Sequence, residues 1–156
     1  MSPFNMLLKL GLACWSTIHL GIKKGWVKRN EVFKYAIDKL ADGKDSLNVA
    51  LIAGRDYLTD EELLSLIEGQ MQGRNVAFDM EKWRLAFLIC VEESTESDDD
   101  KVRRLQEIYA DFDYPEDMSL CSIYSLGDTP PLAEMSQVVQ KLKERFCFKG
   151  KGNGFI

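Results

Sequence analysis

Apolar residues return along this chain at every third or fourth position, and the pattern restarts about seven times after short breaks. That spacing lines up one face of an α-helix, whereas a half-buried strand needs strict alternation. Leu7, Leu10, Cys14, Trp15, Ile18 and Ile22 make the first stripe, read as one helix that stops at Gly25, where glycine accepts left-handed backbone at little cost. Asn30 is placed to cap a second helix carrying Val32, Phe33, Ala36, Ile37 and Leu40, with Gly43 as its stop. A short third helix follows Asp45-Ser46, with Leu47, Ala50 and Leu51 inward and Gly54 at its end. Thr59 and Glu62 form a capping box for a fourth, through Leu63, Leu64 and Ile67. Asp79 is read as the cap of a fifth, in which Trp83, Ala86, Phe87, Cys90 and Val91 follow the helical spacing. The sixth leads from Asp98–Asp100 into Val102, Leu105, Ile108 and Tyr109, and its first-turn aspartates suit the positive end of the helix dipole. The seventh opens at Pro130-Pro131 and carries Met135, Val138, Leu142 and Phe146.

Only Leu120 to Leu126 (LCSIYSL) alternates at period two, and a lone strand has no partner. The expectation is therefore an all-α fold, a single-domain bundle of about seven antiparallel helices over residues 1–148. Residues 149–156, KGKGNGFI, are expected to form a loose, flexible tail. A chain of 156 residues can bury a core without metal or disulfide.

Charge and cysteine usage narrow the function. Twenty Lys+Arg against 25 Asp+Glu give a net charge of −5, which argues against a general nucleic-acid binder. The four cysteines, Cys14, Cys90, Cys121 and Cys147, stand beside apolar neighbours with no CxxC pair, as buried free thiols do. The apolar stretch Phe4–Trp15 has no preceding Lys or Arg and is broken by Lys9, unlike a secretory signal, and no run of about 18 apolar residues exists to span a membrane. A reduced, cytoplasmic protein with no membrane partner is the expectation.

The catalytic inventory is short. His19 is the only histidine; it lies beside the first apolar stripe, and Cys14 at five residues' distance falls on another face of that helix. Neither a nucleophile elbow, a P-loop nor a dinucleotide fingerprint is present, and no metal-ligand spacing links the cysteines to His19. No catalytic residue, metal site or cofactor is expected.

Acidic residues are concentrated instead. From Glu92 to Asp117 eleven carboxylates face three bases, Lys101, Arg103 and Arg104, so that segment carries −8 and the rest of the chain +3. Such a run is either a solvated helix start or a patch that draws in a basic partner. The alternation of a calcium loop is absent. The stretch ends in Tyr109-Ala-Asp-Phe-Asp-Tyr-Pro-Glu-Asp-Met118, three aromatics set among carboxylates. Tyr114 precedes Pro115 and must leave the α region, which lets its ring project from a turn as a binding anchor. The candidate partner-binding residues are Asp98, Asp99, Asp100, Asp111, Phe112, Asp113, Tyr114, Glu116 and Asp117.

The run Glu107–Met118, with YADFDYP at its centre, resembles a motif in a family of small bacterial proteins of unknown function. A Trp-bearing first helix, Gly25-Trp26-Val27, Tyr35-Ala36, and Leu47–Ile52 ahead of the Thr59 cap extend the resemblance from Trp15 to Tyr124. Some members of that family look like immunity proteins encoded beside polymorphic or contact-dependent toxins. The resemblance implies an interaction protein rather than an enzyme, one that binds and blocks a cognate toxin domain such as a nuclease. Two alternatives stand beside it. One is a carboxylate- or metal-dependent hydrolase using Asp111 and Asp113, although acids two apart on a helix point away from each other. The other is a helical scaffold without a toxin partner.

Overall fold

The computed structural model describes residues 2–41, 58–71, 73 and 75–148. Among the described residues there are seven α-helices, a 3-10 turn and a short π-helical turn, and no strand. The fold is all-α, as the periodicity predicts. The stop at Gly43, the short helix after Asp45-Ser46 and the tail 149–156 lie outside the described residues.

The chain divides into two compact units, Ala13–Asp79 and the combination of Met1–Leu12 with Met80–Ile156. The first contains α2 (Trp15–Lys24), α3 (Arg29–Ala41) and α4 (Asp60–Glu68). Ile18, Val32, Ala36, Leu63 and Ile67 are fully buried within it. Trp15 meets Tyr35 edge-on at 4.9 Å, a favoured geometry because the positive ring edge faces the negative face. Burial of Tyr35, reinforced by the charge of Cys14, pushes its phenol up to about 12. His19 is 3% exposed, and its Nε2 lies 3.1 Å from Glu68 Oε1, so the single histidine ties α2 to α4.

The capping box at α4 is complete. Thr59 Oγ1 accepts the Glu62 N–H at 3.1 Å, and Glu62 Oε1 accepts the Thr59 N–H at 3.0 Å. Hydrogen bonding to the carboxylate from the Thr59 backbone N–H, and after it from the Thr59 side chain, holds the Glu62 carboxyl below the usual carboxylate range.

The second unit contains α1 (Pro3–Leu10), most of α5 (Val76–Glu92), α6 (Asp98–Asp111), the 3-10 turn Glu116–Cys121, α7 (Pro131–Lys143) and the π turn Glu144–Phe148. In α5 Trp83, Leu85, Ala86, Leu88, Ile89 and Val91 are all buried, and residues so placed go round the whole helix. A helix apolar on every side belongs inside a core. Phe4 stacks on Trp83 with ring centres 6.4 Å apart, and Phe87 meets Phe112 edge-on at 5.8 Å.

Three features depart from the sequence expectation. Asn30 does not cap its helix, because α3 already starts at Arg29 and Asn30 stands inside the first turn, its Oδ1 accepting the Glu31 N–H at 3.0 Å. The first apolar stripe is not one helix, because Gly11 at φ +72° ends α1. Its N–H donates to the Leu8 carbonyl at 3.1 Å and Leu12 N–H to the Leu7 carbonyl at 3.0 Å, the paired closure that satisfies two carbonyls of the last turn while the left-handed glycine turns the chain out of the helix. Apolar spacing survives such a break because both pieces keep a buried face. Asp79 likewise does not cap α5. Asn75 does, with Oδ1 accepting the Phe78 N–H at 3.0 Å. Asp79 sits one turn inside, 4% exposed, accepting a bond of 3.2 Å from the Ser16 hydroxyl.

Candidate functional site

The acidic segment begins where α5 ends. Ser97 caps α6, its hydroxyl accepting the Asp100 N–H at 3.2 Å, and Asp98, Asp99 and Asp100 fill the first turn. A cap of this kind is worth about 1 kcal/mol, and each first-turn carboxylate adds a few tenths through the helix dipole. These aspartates thus have a structural reason to be where they are. The three bases of the segment are all engaged locally. Arg103 pairs with Asp100 at 2.9 Å, Arg104 pairs with Glu96, and Lys101 Nζ donates to the Glu92 carbonyl at 3.3 Å. Asp98, Asp99, Asp111, Asp113 and Glu116 are exposed and form no ion pair among the described residues.

The far end of α6 turns sharply. Asp111 is its last residue, and Phe112 follows as C-cap, 9% exposed with its ring against Phe87. Phe112 thus turns inward and packs in the core. Asp113 and Tyr114 then both take left-handed backbone, φ +61° and +52°. Non-glycine residues there cost about 1–2 kcal/mol each, least for Asp, so the surroundings must impose the bend. They do so by bonds from Asp113 N–H to the Ala110 carbonyl at 3.0 Å and from Tyr114 N–H to the Tyr109 carbonyl at 2.8 Å. The Tyr114 ring stands edge-on to Tyr109, centres 5.1 Å apart, and remains 62% exposed. Pro115 bars Tyr114 from continuing the α-helix, and the bend meets that demand through the left-handed region rather than the extended one.

Glu116 and Asp117 open the 3-10 turn, and they differ in role. Both oxygens of Asp117 accept bonds from the guanidinium of Arg84, at 2.8 and 3.0 Å. Arg84 is 5% exposed, lies 3.8 Å from Glu81, and Glu81 also pairs with Arg145. The carboxylate of Asp117 is therefore committed to holding the 3-10 turn on α5, whereas Glu116 faces solvent. Sequence reasoning missed this chain of charges, because the nearby acid, Glu81, marks only a local i,i+3 pair, and nothing in the spacing points to Asp117, 33 residues on.

Beyond the turn, Leu120–Leu126 is not a strand. Gln106 on α6 clamps it, donating from Nε2 to the Cys121 carbonyl at 2.9 Å and accepting the Ile123 N–H on Oε1 at 3.2 Å. Gln106 and Tyr109 are three apart on one helix face, so the loop and the Tyr114 ring are anchored one turn from each other. Burial pushes the Cys121 thiol up to about 11, with Glu134 and Asp117 adding to the effect. Cys14, Cys90 and Cys121 form no disulfide among the described residues, and the Cys147 side chain lies outside them.

Other features offer less. A cleft of about 170 Å³ is lined by Met6, Cys90, Glu93, Ser94 and Arg104, the last already paired with Glu96. No group of three His, Cys, Asp or Glu side chains stands close enough to hold a metal ion among the described residues. No described helix is long and apolar enough to cross a membrane.

No curated protein and no solved structure matches the chain. Its sequence does match one family model over residues 7–146, beginning before and ending after the Trp15–Tyr124 span on which the resemblance rests. The chain therefore belongs to DUF2247, a family of uncharacterised proteins conserved in bacteria.

Proposed function

We propose that this protein works by binding rather than by catalysis, as a cytoplasmic immunity protein that neutralises a cognate toxin domain. The observation that carries this reading is Tyr114, held 62% exposed on left-handed backbone among carboxylates without local ion partners. A backbone cost of that size is tolerated where a side chain must be aimed, and an exposed aromatic in a rigid setting is the usual anchor of a protein interface. The surrounding negative charge favours a partner whose working surface is basic, and a nuclease must have such a surface to hold phosphates. The resemblance of the YADFDYP segment to proteins encoded beside toxins supports the same reading.

The test is binding kinetics against the product of the neighbouring gene, at low and high salt. Neutralising Asp98, Asp99, Asp111, Asp113 and Glu116 together is expected to slow association and flatten its salt dependence. Tyr114→Ala should act on dissociation and cost about 2 kcal/mol or more. Absence of binding by the wild-type chain would remove the immunity reading.

A further inference from the structure

Four of the seven residues in Leu120–Leu126 are large, apolar and exposed: Leu120 at 49%, Ile123 at 54%, Tyr124 at 86% and Leu126 at 101%. Single exposed apolar residues need no explanation, but four within seven residues do. The loop is also built to keep its shape. Ser125 N–H donates to the Ser122 carbonyl at 3.0 Å, Tyr124 N–H to Ser122 Oγ at 3.1 Å, and Gly127 N–H to Ser125 Oγ at 3.1 Å. Gly127 closes it against Leu120, whose Cδ2 would lie 3.4 Å from a Cβ placed there. With the Gln106 clamp, the serines satisfy the backbone from within and leave the apolar side chains pointing to water. Ordering of this kind, already present in the free protein, removes a cost that a flexible loop would meet on binding.

Charge selects the occupant. From Leu105 to Gln140 the sequence has seven acidic residues and no Lys or Arg. One of the seven, Asp117, is matched by Arg84, and the other six form no ion pair among the described residues, so the segment that contains the loop is net negative. An anionic membrane and a nucleic acid are both repelled by such a surface, so the exposed apolar run serves neither.

We infer that Leu120–Leu126 is an apolar plug that seats in a recess rimmed by Lys and Arg on a partner protein. This rests on the immunity reading, whose toxin it supplies with a stated shape: a basic surface with an apolar hollow. Tyr114 and the plug then bind as one surface, both anchored on α6.

The experiment compares wild type, the double variant Tyr124→Ser/Leu126→Ser and the carboxylate-neutralised variant in binding kinetics against the product of the neighbouring gene. The two serine positions are exposed enough that helix content is expected to stay unchanged, and Leu126→Ser alone serves if the pair does not fold. The expected result is at least a 30-fold faster dissociation for the serine variant, with its salt dependence intact. Wild-type binding with an unchanged dissociation rate in the serine variant would overturn the plug and leave the immunity reading standing. Absence of wild-type binding would overturn both. A wild-type dimer that becomes monomeric in the serine variant, by analytical ultracentrifugation, would make a second copy the occupant and overturn the inferred partner.

Discussion

Arg84 and Asp117, 33 residues apart, meet through two parallel hydrogen bonds of 2.8 and 3.0 Å. The guanidinium is almost wholly buried and the carboxylate half-exposed, so the pair is strong on one side and screened on the other. Removing the acid leaves a buried cation with Glu81 as its remaining acid neighbour among the described residues. Asp117→Asn is expected to lower unfolding free energy by about 2 kcal/mol, less than the loss of a fully buried pair because water reaches Asp117. Urea denaturation of the single variants and of Asp117→Asn/Arg84→Met gives the coupling. A loss below about 0.5 kcal/mol for Asp117→Asn would place it with ordinary surface pairs.

Gln106 supplies both polarities to one loop. Gln106→Ala should cost about 1 kcal/mol, since the groups it releases are near enough to the surface to find water. Hydrogen exchange at the Ile123 amide, which donates to Gln106, is expected to rise well beyond that of amides inside α6. An unchanged exchange rate would mean that the serine bonds hold the loop by themselves.

The bend at Asp113-Tyr114 gives a prediction of opposite sign. Asp113 carries φ +61° and its side chain makes no ion pair among the described residues, so Asp113→Gly relieves strain without removing a salt bridge. A gain of about 0.5–1 kcal/mol is expected. Tyr114→Gly should show little net change in stability, because the same relief is offset by loss of the edge contact with Tyr109. Thermal melts of both variants separate the two effects.

Alkaline pH should destabilise the fold. Cys121 titrates near 11 in the folded chain against an ordinary value of 9.0, and Tyr35 near 12 against 10.0. Each raised value means that the folded state keeps a proton that the unfolded state releases. The stabilisation is complete below pH 9 and lost as pH climbs from there toward 11 and 12. Urea midpoints measured from pH 8 to 10.5 should fall, and Cys121→Ala should make that slope shallower. A flat profile would contradict the burial of both groups.

Local chemistry was legible in the sequence, and long-range chemistry was not. The Thr59–Glu62 box and the proline start of α7 depend on neighbours within one turn, so residue types and spacing sufficed. The break at Gly11 hid inside an apolar stripe that both flanking helices continue. Asp79 and Asn75 are both good caps, and only packing decided that Asp79 goes inside to Ser16. LCSIYSL alternates like a strand, yet no second strand pairs with it among the described residues, and serine turns with the Gln106 clamp fold it instead. At the candidate site, Tyr114 and the unpaired carboxylates followed from Pro115 and the charge run. The inward turn of Phe112 and the commitment of Asp117 depended on Phe87 and Arg84, more than twenty residues away in sequence.

The cation-free stretch from Leu105 to Gln140 also governs how the protein can be handled. Trypsin, which cuts after Lys or Arg, has no target between Arg104 and Lys141, so the plug, Tyr114 and the 3-10 turn leave a digest together as one peptide. Amine-directed dyes, biotin reagents and sensor-chip coupling cannot attach to any side chain within it. Immobilised through lysines elsewhere, the molecule keeps this face unmodified for whatever binds it, whereas carboxylate-directed coupling would consume the groups under test.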